Sequence, residues 1–192
     1  MFHGGVNTIR IDLKNLEVEA ASRGMMDGTL STLGVVIGAQ GAPPEIIIAA
    51  GISGGLANSF SNIFAAFTAN ETEMMVRLND LKDAMLRKDL EDTQIYEREK
   101  RRVHKQSLAD GLATVVGALV PVIPYFFFSS YMSIFIAVFL TSMLGLLVGV
   151  VMGKLSRRSM IKSGLKMAVS AIVVGVISAF VQSRLSSMLP RS

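Results

Sequence analysis

Long apolar stretches dominate the pattern of hydrophobic and polar positions along this chain. Residues 28–70 contain one charged side chain, Glu45, and residues 111–153 and 167–183 contain none. A helix crosses a hydrocarbon core about 30 Å thick with about 20 apolar residues. The first two stretches are therefore long enough for two crossings each, and the third is long enough for one.

This pattern predicts an all-α integral membrane protein with five transmembrane helices. Pro43 and Pro44 divide the first stretch, because prolines suit the first turn of a helix but not its middle. The predicted spans are 25–41, 43–69, 107–128, 131–154 and 162–184. The remaining segments are an amphipathic helix within 1–24, a helical segment at 71–106, a loop at 155–161 and a tail at 185–192.

The basic residues orient these helices. Lys and Arg number three before the first span, nine between the second and third, five around the junction of the fourth and fifth, and two after the fifth. Five crossings place 17 of the 19 basic residues on one side, which the positive-inside rule identifies as the cytoplasm. We therefore expect a multi-pass protein of the cell membrane with a cytoplasmic N-terminus and an external C-terminus. This distribution favours a crossing over a re-entrant segment for the first span, whose strongly apolar part is only Leu30 to Ala39.

Composition removes several classes of function. The chain of 192 residues is 51% hydrophobic and 18% charged, and it has no cysteine, which excludes disulfides, thiolate metal sites and a cysteine nucleophile. Phosphate-loop, zinc-protease and serine-hydrolase motifs are absent from the sequence, so we expect neither an enzyme nor a bound cofactor. The net charge of +4 comes from membrane-flanking clusters such as Lys100 to Arg102, which favour anionic lipid headgroups over a nucleic-acid partner.

Polar side chains inside the apolar spans are the first candidate functional residues. Ionisable groups at membrane depth are energetically costly, so their presence suggests function. Asp27 lies at the cytoplasmic entrance of the first span, and Asn58 and Asn62 share one face of the second. Two interpretations stay open. Asp27 is an interfacial cap and the asparagines hold helices together, or all three line a hydrated ion path.

Glycine, proline and acid positions add three smaller expectations. Gly34 and Gly38 have the four-residue spacing that permits close contact between helices. Pro121 and Pro124 each remove a backbone donor, which predicts a bent third helix. Asp110 is predicted near the cytoplasmic start of that helix, where the helix dipole favours an acid.

The predicted cytoplasmic segment, 71–106, is rich in charge but net neutral, with nine acidic and nine basic residues. An apolar stripe predicts that the second helix projects beyond the membrane; it consists of Met74, Leu78, Leu81 and Met85. Helical pairs of carboxylates, Asp80/Asp83 and Asp89/Asp92, suit a divalent cation. The candidate metal ligands of this segment are Glu71, Glu73, Asp80 and Asp83. The alternative is a solvated helix pair whose acids form salt bridges.

Three motifs occur in the predicted helices. The first is Met26-Asp27-Gly28-Thr29-Leu30, ahead of a glycine-rich span, and the second is the run from Gly117 to Tyr125, a Gly-Ala-x-x-Pro-x-x-Pro element. The third is Arg158-Ser159 followed by Ser163-Gly164-Leu165-Lys166. In this order they resemble the start of the first helix, the third-helix signature and the start of the fifth helix of the vacuolar iron transporter family.

The resemblance implies a proton-coupled transporter that moves Fe²⁺ or Mn²⁺ out of the cytoplasm. The metal is then the transported substrate, and Asp27 matches the family's first-helix acid. The resemblance also implies a homodimer whose first helices line the path. Expected partners are the lipid bilayer, divalent cations, protons and a second copy of the chain.

The second span departs from the family pattern at three places. Many relatives have Glu at the position of Gly54, Met at that of Asn62, and a Gly-Glu pair at Ala65-Ala66. These differences remove a thioether and two carboxylates, so the remaining oxygen ligands favour Mg²⁺, Ca²⁺ or Mn²⁺. They suggest a divergent, prokaryotic-type member. They also favour an alternative function, a membrane scaffold or regulatory protein that keeps the fold without transport.

Overall fold

Five α-helices make up nearly all of the computed structural model, which describes residues 13–85, 90, 93–128 and 130–188. They are α1 (Leu13–Gly38), α2 (Pro44–Met85), α3 (Gln94–Leu119), α4 (Ser130–Leu155) and α5 (Met160–Met188). A short 3-10 helix, Ile123–Phe126, lies between α3 and α4. No β-strand occurs in this described part of the chain, and the predicted all-α class is confirmed.

Three of these helices, α2, α4 and α5, are long and apolar enough to cross a membrane. The described residues of α1 and α3 fall short of that hydropathy because the first half of each helix is charged. In α1 these charges include Glu17, Glu19 and Arg23. The number of crossings and the orientation of the termini stay predictions.

Helix α1 lies at the centre of the bundle and packs against each of the other four helices. Its Leu33, Val36 and Ile37 are fully buried and form one core with Ile47 and Val122. Protein rather than lipid therefore covers most of α1. A helix in that position does not need an apolar surface on all sides.

The contact between α1 and α3 is so close that glycine is required on both helices. A β-carbon on Gly28 would overlap the carbonyl oxygen of Thr114, and one on Gly24 would overlap that of Asp110. On α3, a β-carbon on Gly117 would overlap the carbonyl oxygen of Met25. Because Gly24 lies opposite Asp110 and Gly28 opposite Thr114, the two helices run parallel.

Gly34 and Gly38, which share a four-residue spacing, do not lie at this α1–α3 contact. A β-carbon on Gly34 would meet only the Ser178 hydroxyl, at 3.4 Å, and one on Gly38 would meet nothing within 4 Å. The close contact that this spacing permits is therefore not formed between the described residues. Spacing alone does not show which of several glycines faces a neighbouring helix.

Helices α4 and α5 form an antiparallel pair with its own glycine seam. Gly145, Gly149 and Gly153 recur at four-residue spacing on α4. A β-carbon on Gly149 would come within 2.6 Å of the Gly164 Cα on α5, so even alanine would separate the helices. The side chain of Gln182 on α5 donates to the backbone oxygen of Gln40 at 3.1 Å and joins this pair to the turn after α1.

The turn between α1 and α2 is short because its residues favour the backbone conformations that a tight turn requires. Gly41 has φ of +100°, a left-handed conformation that favours glycine. Pro44 is the first residue of α2, where its missing N–H has no partner to lose. The predicted division of the first apolar stretch is confirmed here.

Helix α2 continues without a break for 42 residues, about 63 Å at 1.5 Å per residue. Its last part packs against the first half of α3 as a two-helix extension. A small core, formed by Met74, Leu78, Leu90 and Val103, holds this extension together. The second helix therefore continues past residue 69, where its predicted span ends, and its projection beyond the membrane stays a prediction.

The third helix differs from its predicted bounds at both ends. It begins at Gln94, so Asp110 lies in its interior and is buried, rather than at its N-terminus. It ends at Leu119, and the chain then turns into the 3-10 helix that contains Pro124. Pro121 and Pro124 therefore end the helix instead of bending it, because each lacks the N–H that would continue the ladder.

We predict that Gly28→Ala lowers the free energy of unfolding by about 1–3 kcal/mol, because the new methyl group forces α1 away from α3. Gly38→Ala is the matched control on the same helix and should change stability by less than about 1 kcal/mol. Thermal or denaturant unfolding in detergent measures both. Equal stability of the two variants would contradict the close α1–α3 contact.

Candidate functional site

Asp27, Asn58 and Asn62 meet at the surface between α1 and α2. The side-chain nitrogens of Asn58 and Asn62 each donate to Asp27 Oδ2 at 2.8 Å. Asp27 is exposed in the single chain, and both asparagines are partly exposed. The four-residue spacing of the asparagines places them one above the other on α2, so both reach one carboxylate oxygen.

Two hydroxyl groups extend this group of residues. Asn58 Nδ2 also lies 3.0 Å from Ser31 Oγ, and Asn62 Nδ2 lies 3.0 Å from Thr114 Oγ1 on α3. The hydroxyl of Thr114 donates in turn to the Asp110 carbonyl at 2.8 Å. These five residues, Asp27, Ser31, Asn58, Asn62 and Thr114, are called the Asp27 cluster.

The Asp27 cluster offers oxygen atoms to a cation once its amides turn. Each asparagine directs its nitrogen at the carboxylate, and a half-turn of the amide presents its oxygen instead. The carboxylate of Asp27, two amide oxygens and the Ser31 hydroxyl would then face one ion. An all-oxygen set of this kind suits Mg²⁺, Ca²⁺ or Mn²⁺ better than softer metals.

A shallow surface groove along α2 begins beside this cluster. Its lining is mostly small or hydroxyl-bearing, and consists of Ser61, Phe64, Ala65, Thr68, Ala69 and Thr72. Ser61 is adjacent in sequence to Asn62, and Thr72 lies near the start of the two-helix extension. The groove thus runs from the Asp27 cluster toward the predicted cytoplasmic side.

An ion pair between the exposed Arg23 and the buried Asp110 lies one helical turn before Asp27. Arg23 Nη2 lies 2.7 Å from Asp110 Oδ2, and the Asp110 side chain is only 5% exposed. A buried carboxylate is destabilising unless a charge and hydrogen bonds compensate it, so Arg23 fixes the register of α1 against α3. Sequence reasoning missed this pair, because Arg23 and Asp110 are 87 residues apart and neither belongs to a motif.

The acidic candidates of the cytoplasmic segment do not come together. Glu71, Asp80 and Asp83 are exposed. Glu73 lies 2.7 Å from an Arg77 nitrogen and 3.6 Å from an Arg102 nitrogen, which supports the salt-bridge interpretation for this residue. In the described ranges no three His, Asp or Glu side chains are grouped in a way that suits a metal ion.

The second acid pair, Asp89 and Asp92, lies outside the described residues. Metal binding by this segment stays a prediction, as does the role of the Asp27 cluster.

Comparison with known proteins gives two matches. The sequence model of the VIT family matches residues 67–183, from the last part of α2 to α5. An uncharacterized protein of Methanocaldococcus jannaschii is 43% identical over 109 residues, which are 55% of this chain and 57% of that protein. The chain therefore spans little more than half the length of this relative. Of the Asp27 cluster, only Thr114 falls within the family match.

We predict that Mn²⁺ raises the unfolding temperature of the detergent-solubilised protein and that Asp27→Asn abolishes this shift, because a ligand that binds only the folded state stabilises it. Asp80→Asn removes an exposed acid of the extension and should keep the shift. A panel of Mn²⁺, Fe²⁺, Mg²⁺, Ca²⁺, Co²⁺ and Zn²⁺ ranks the cations. If the shift in unfolding temperature persists in Asp27→Asn but is lost in Asp80→Asn, the metal site lies among the acidic residues of the predicted cytoplasmic segment.

Proposed function

The chain belongs to the VIT family, a family of membrane transporters rather than enzymes, and on this premise we propose that it transports a divalent metal cation. The observation that carries the proposal is the Asp27 cluster. It holds one carboxylate, two amides and two hydroxyls on three helices, at the predicted cytoplasmic entrance of a membrane span. Ionisable groups at such a depth ordinarily mark an ion pathway.

The proposed cargo is Mn²⁺ or Fe²⁺, with Mn²⁺ favoured by the ligand chemistry. Asn62 stands where many relatives have a methionine, so an oxygen replaces a sulfur beside Asp27. Oxygen ligands favour harder cations, whereas a thioether favours softer ones. Gly54 and Ala66, at the positions of the missing carboxylates, add no ligand atoms.

Proton coupling is proposed through Asp27 itself. A carboxylate must be deprotonated to bind a metal ion, so proton arrival and metal binding compete for the same oxygen atoms. In the proposed cycle the Asp27 carboxylate, when no cation is bound, accepts one hydrogen bond from the side chain of each asparagine. A cation turns the amides around, and a proton from the opposite side then displaces the cation.

Export from the cytoplasm is the proposed direction. The groove lined by residues from Ser61 to Thr72 leads from the two-helix extension to the Asp27 cluster. Most of the basic residues lie on the same predicted side. A cation from the cytoplasm would therefore reach Asp27 along the threonine and serine hydroxyls of α2.

A homodimer is proposed because the Asp27 cluster opens on the outside of a single chain. Asp27 and Ser31 on α1 and Ser61 and Ala65 on α2 are exposed, so in a membrane they would face lipid. A second copy packed on this face would cover these polar groups and place two Asp27 carboxylates along one path. Small residues such as Gly34 permit this approach.

The alternative is a scaffold or regulatory protein that retains the fold. The absence of ligand atoms at Gly54 and Ala66 favours it. Such a protein would show neither metal flux nor metal-dependent stabilisation, so the two functions are separable by measurement.

We predict that the protein in proteoliposomes carries Mn²⁺ flux dependent on a pH gradient, and that Asp27→Asn lowers this flux at least about 100-fold, because the exchangeable charge is lost. Asp80→Asn should retain flux. Flux is followed with a metal-sensitive dye and proton movement with a pH dye. Full flux in Asp27→Asn would refute the role of Asp27, and no flux with any tested cation would favour the scaffold.

We predict that a single cysteine on the surface formed by Asp27, Ser31, Ser61 and Ala65 cross-links two copies of the protein in native membranes. The chain has no cysteine, so each introduced thiol is unique. Ser61→Cys should form a disulfide-linked dimer under mild oxidation, whereas Ile172→Cys, exposed on α5, should not. Cross-linking of Ile172→Cys alone would place the interface on α5 instead.

A further inference from the structure

The first half of α3 presents a concave, strongly basic surface that the transport proposal does not use. It lines a cavity of about 340 Å³, and is called the basic face; it consists of Gln94, Arg98, Arg101, Arg102 and Lys105. Four of these positions, 94, 98, 101 and 105, are spaced three or four residues apart, and Arg102 is adjacent to Arg101. The five side chains therefore lie on one side of the helix. Four of the five are cationic.

Carboxylates compensate only part of this charge. Lys105 Nζ lies 3.6 Å from Glu17 Oε1, and Arg102 lies 3.6 Å from Glu73 and 3.3 Å from Glu99. Within the described parts of the chain no carboxylate lies within 4.0 Å of the charged groups of Arg98 or Arg101. Arg101 Nε donates only to a backbone oxygen, at 3.3 Å. Among the described residues, the guanidinium groups of Arg98 and Arg101 therefore have no counter-ion.

Arg102 is the buried member of the basic face. Its side chain is only 4% exposed, and its Nε lies 3.3 Å from Glu99 Oε2 in an ion pair. Burial and this ion pair hold Arg102 at the wall of the cavity, beside the exposed guanidinium groups of Arg98 and Arg101.

The basic face also lies at a suitable depth for a phosphate group. Lys105 comes two residues before the predicted third span, and Arg98 comes nine residues before it, about 14 Å along the helix. This interval starts at the level of the lipid headgroups and extends into the cytoplasm. Phosphates from either source are within reach.

We propose that the basic face binds a phosphate group, carried either by an anionic lipid headgroup or by a soluble phosphate compound. Arginine presents its N–H donors in a planar fork that matches two phosphate oxygens at once. Arg98 and Arg101 supply charge that no described carboxylate compensates, and Arg102 forms part of the cavity wall. This site is separate from the Asp27 cluster, so its test does not depend on transport.

The test compares two phosphate sources on the full chain in a neutral detergent. The unfolding temperature is measured with inorganic phosphate against chloride at equal ionic strength, and with phosphatidylglycerol against phosphatidylcholine in mixed micelles. A shift with inorganic phosphate identifies a soluble ligand. A shift with phosphatidylglycerol alone identifies a lipid headgroup.

The variants separate the basic face from general attraction between charges. Arg98→Gln combined with Arg101→Gln should weaken the apparent affinity for the effective probe by about tenfold or more, because charge-assisted hydrogen bonds are lost. Lys100→Gln removes an exposed charge that does not line the cavity and should leave the affinity unchanged. Both single variants are measured as well, so that a failure of the double variant to fold does not prevent the test. No shift with either probe, or an equal loss in Lys100→Gln, would overturn the proposal.

Discussion

The backbone contact between α1 and α3 is the constraint on which the rest of this structure depends. The two helices approach so closely that a carbonyl oxygen of one helix lies where a β-carbon of the other would be. The positions without that β-carbon are Gly24, Gly28 and Gly117. Because Gly28 is held against Thr114, its neighbour Asp27 is turned outward toward α2. The same register brings the Thr114 hydroxyl to Asn62 and pairs Arg23 with Asp110. Asp27 and Gly28 thus combine an exposed carboxylate toward α2 with a close backbone contact toward α3.

The Asp27 carboxylate has hydrogen-bond partners from both asparagines without a cation. A hydrogen bond to a charged group contributes about 1.5–3 kcal/mol, and Asp27 accepts two. A cation must displace both N–H groups, which lowers its net affinity, and transport requires binding weak enough for release.

The sequence predicted those features that depend on local periodicity. Charge-free stretches locate the apolar spans, and a four-residue spacing brings Asn58 and Asn62 to one side of α2. Other features depend on which distant residues meet. The pairing of Arg23 with Asp110 and the place of Thr114 follow from the α1–α3 register, which no local pattern encodes. The end of α3 before Pro121 was missed because a proline either bends or ends a helix, and the surrounding packing decides between these outcomes.

The same packing limits how α1 can move in the proposed cycle. The glycine contact between α1 and α3 opposes sliding of one helix along the other, because such a shift would bring β-carbons against the backbone of the opposite helix. The ion pair between Arg23 and the buried Asp110 opposes separation of α1 from α3, since separation would remove the charge partner of this carboxylate. Both contacts therefore oppose a relative movement of α1 and α3. Rearrangement is easier along α2, where exposed polar side chains rather than backbone contacts join α1 at Asp27, and this is the surface proposed to meet a second copy.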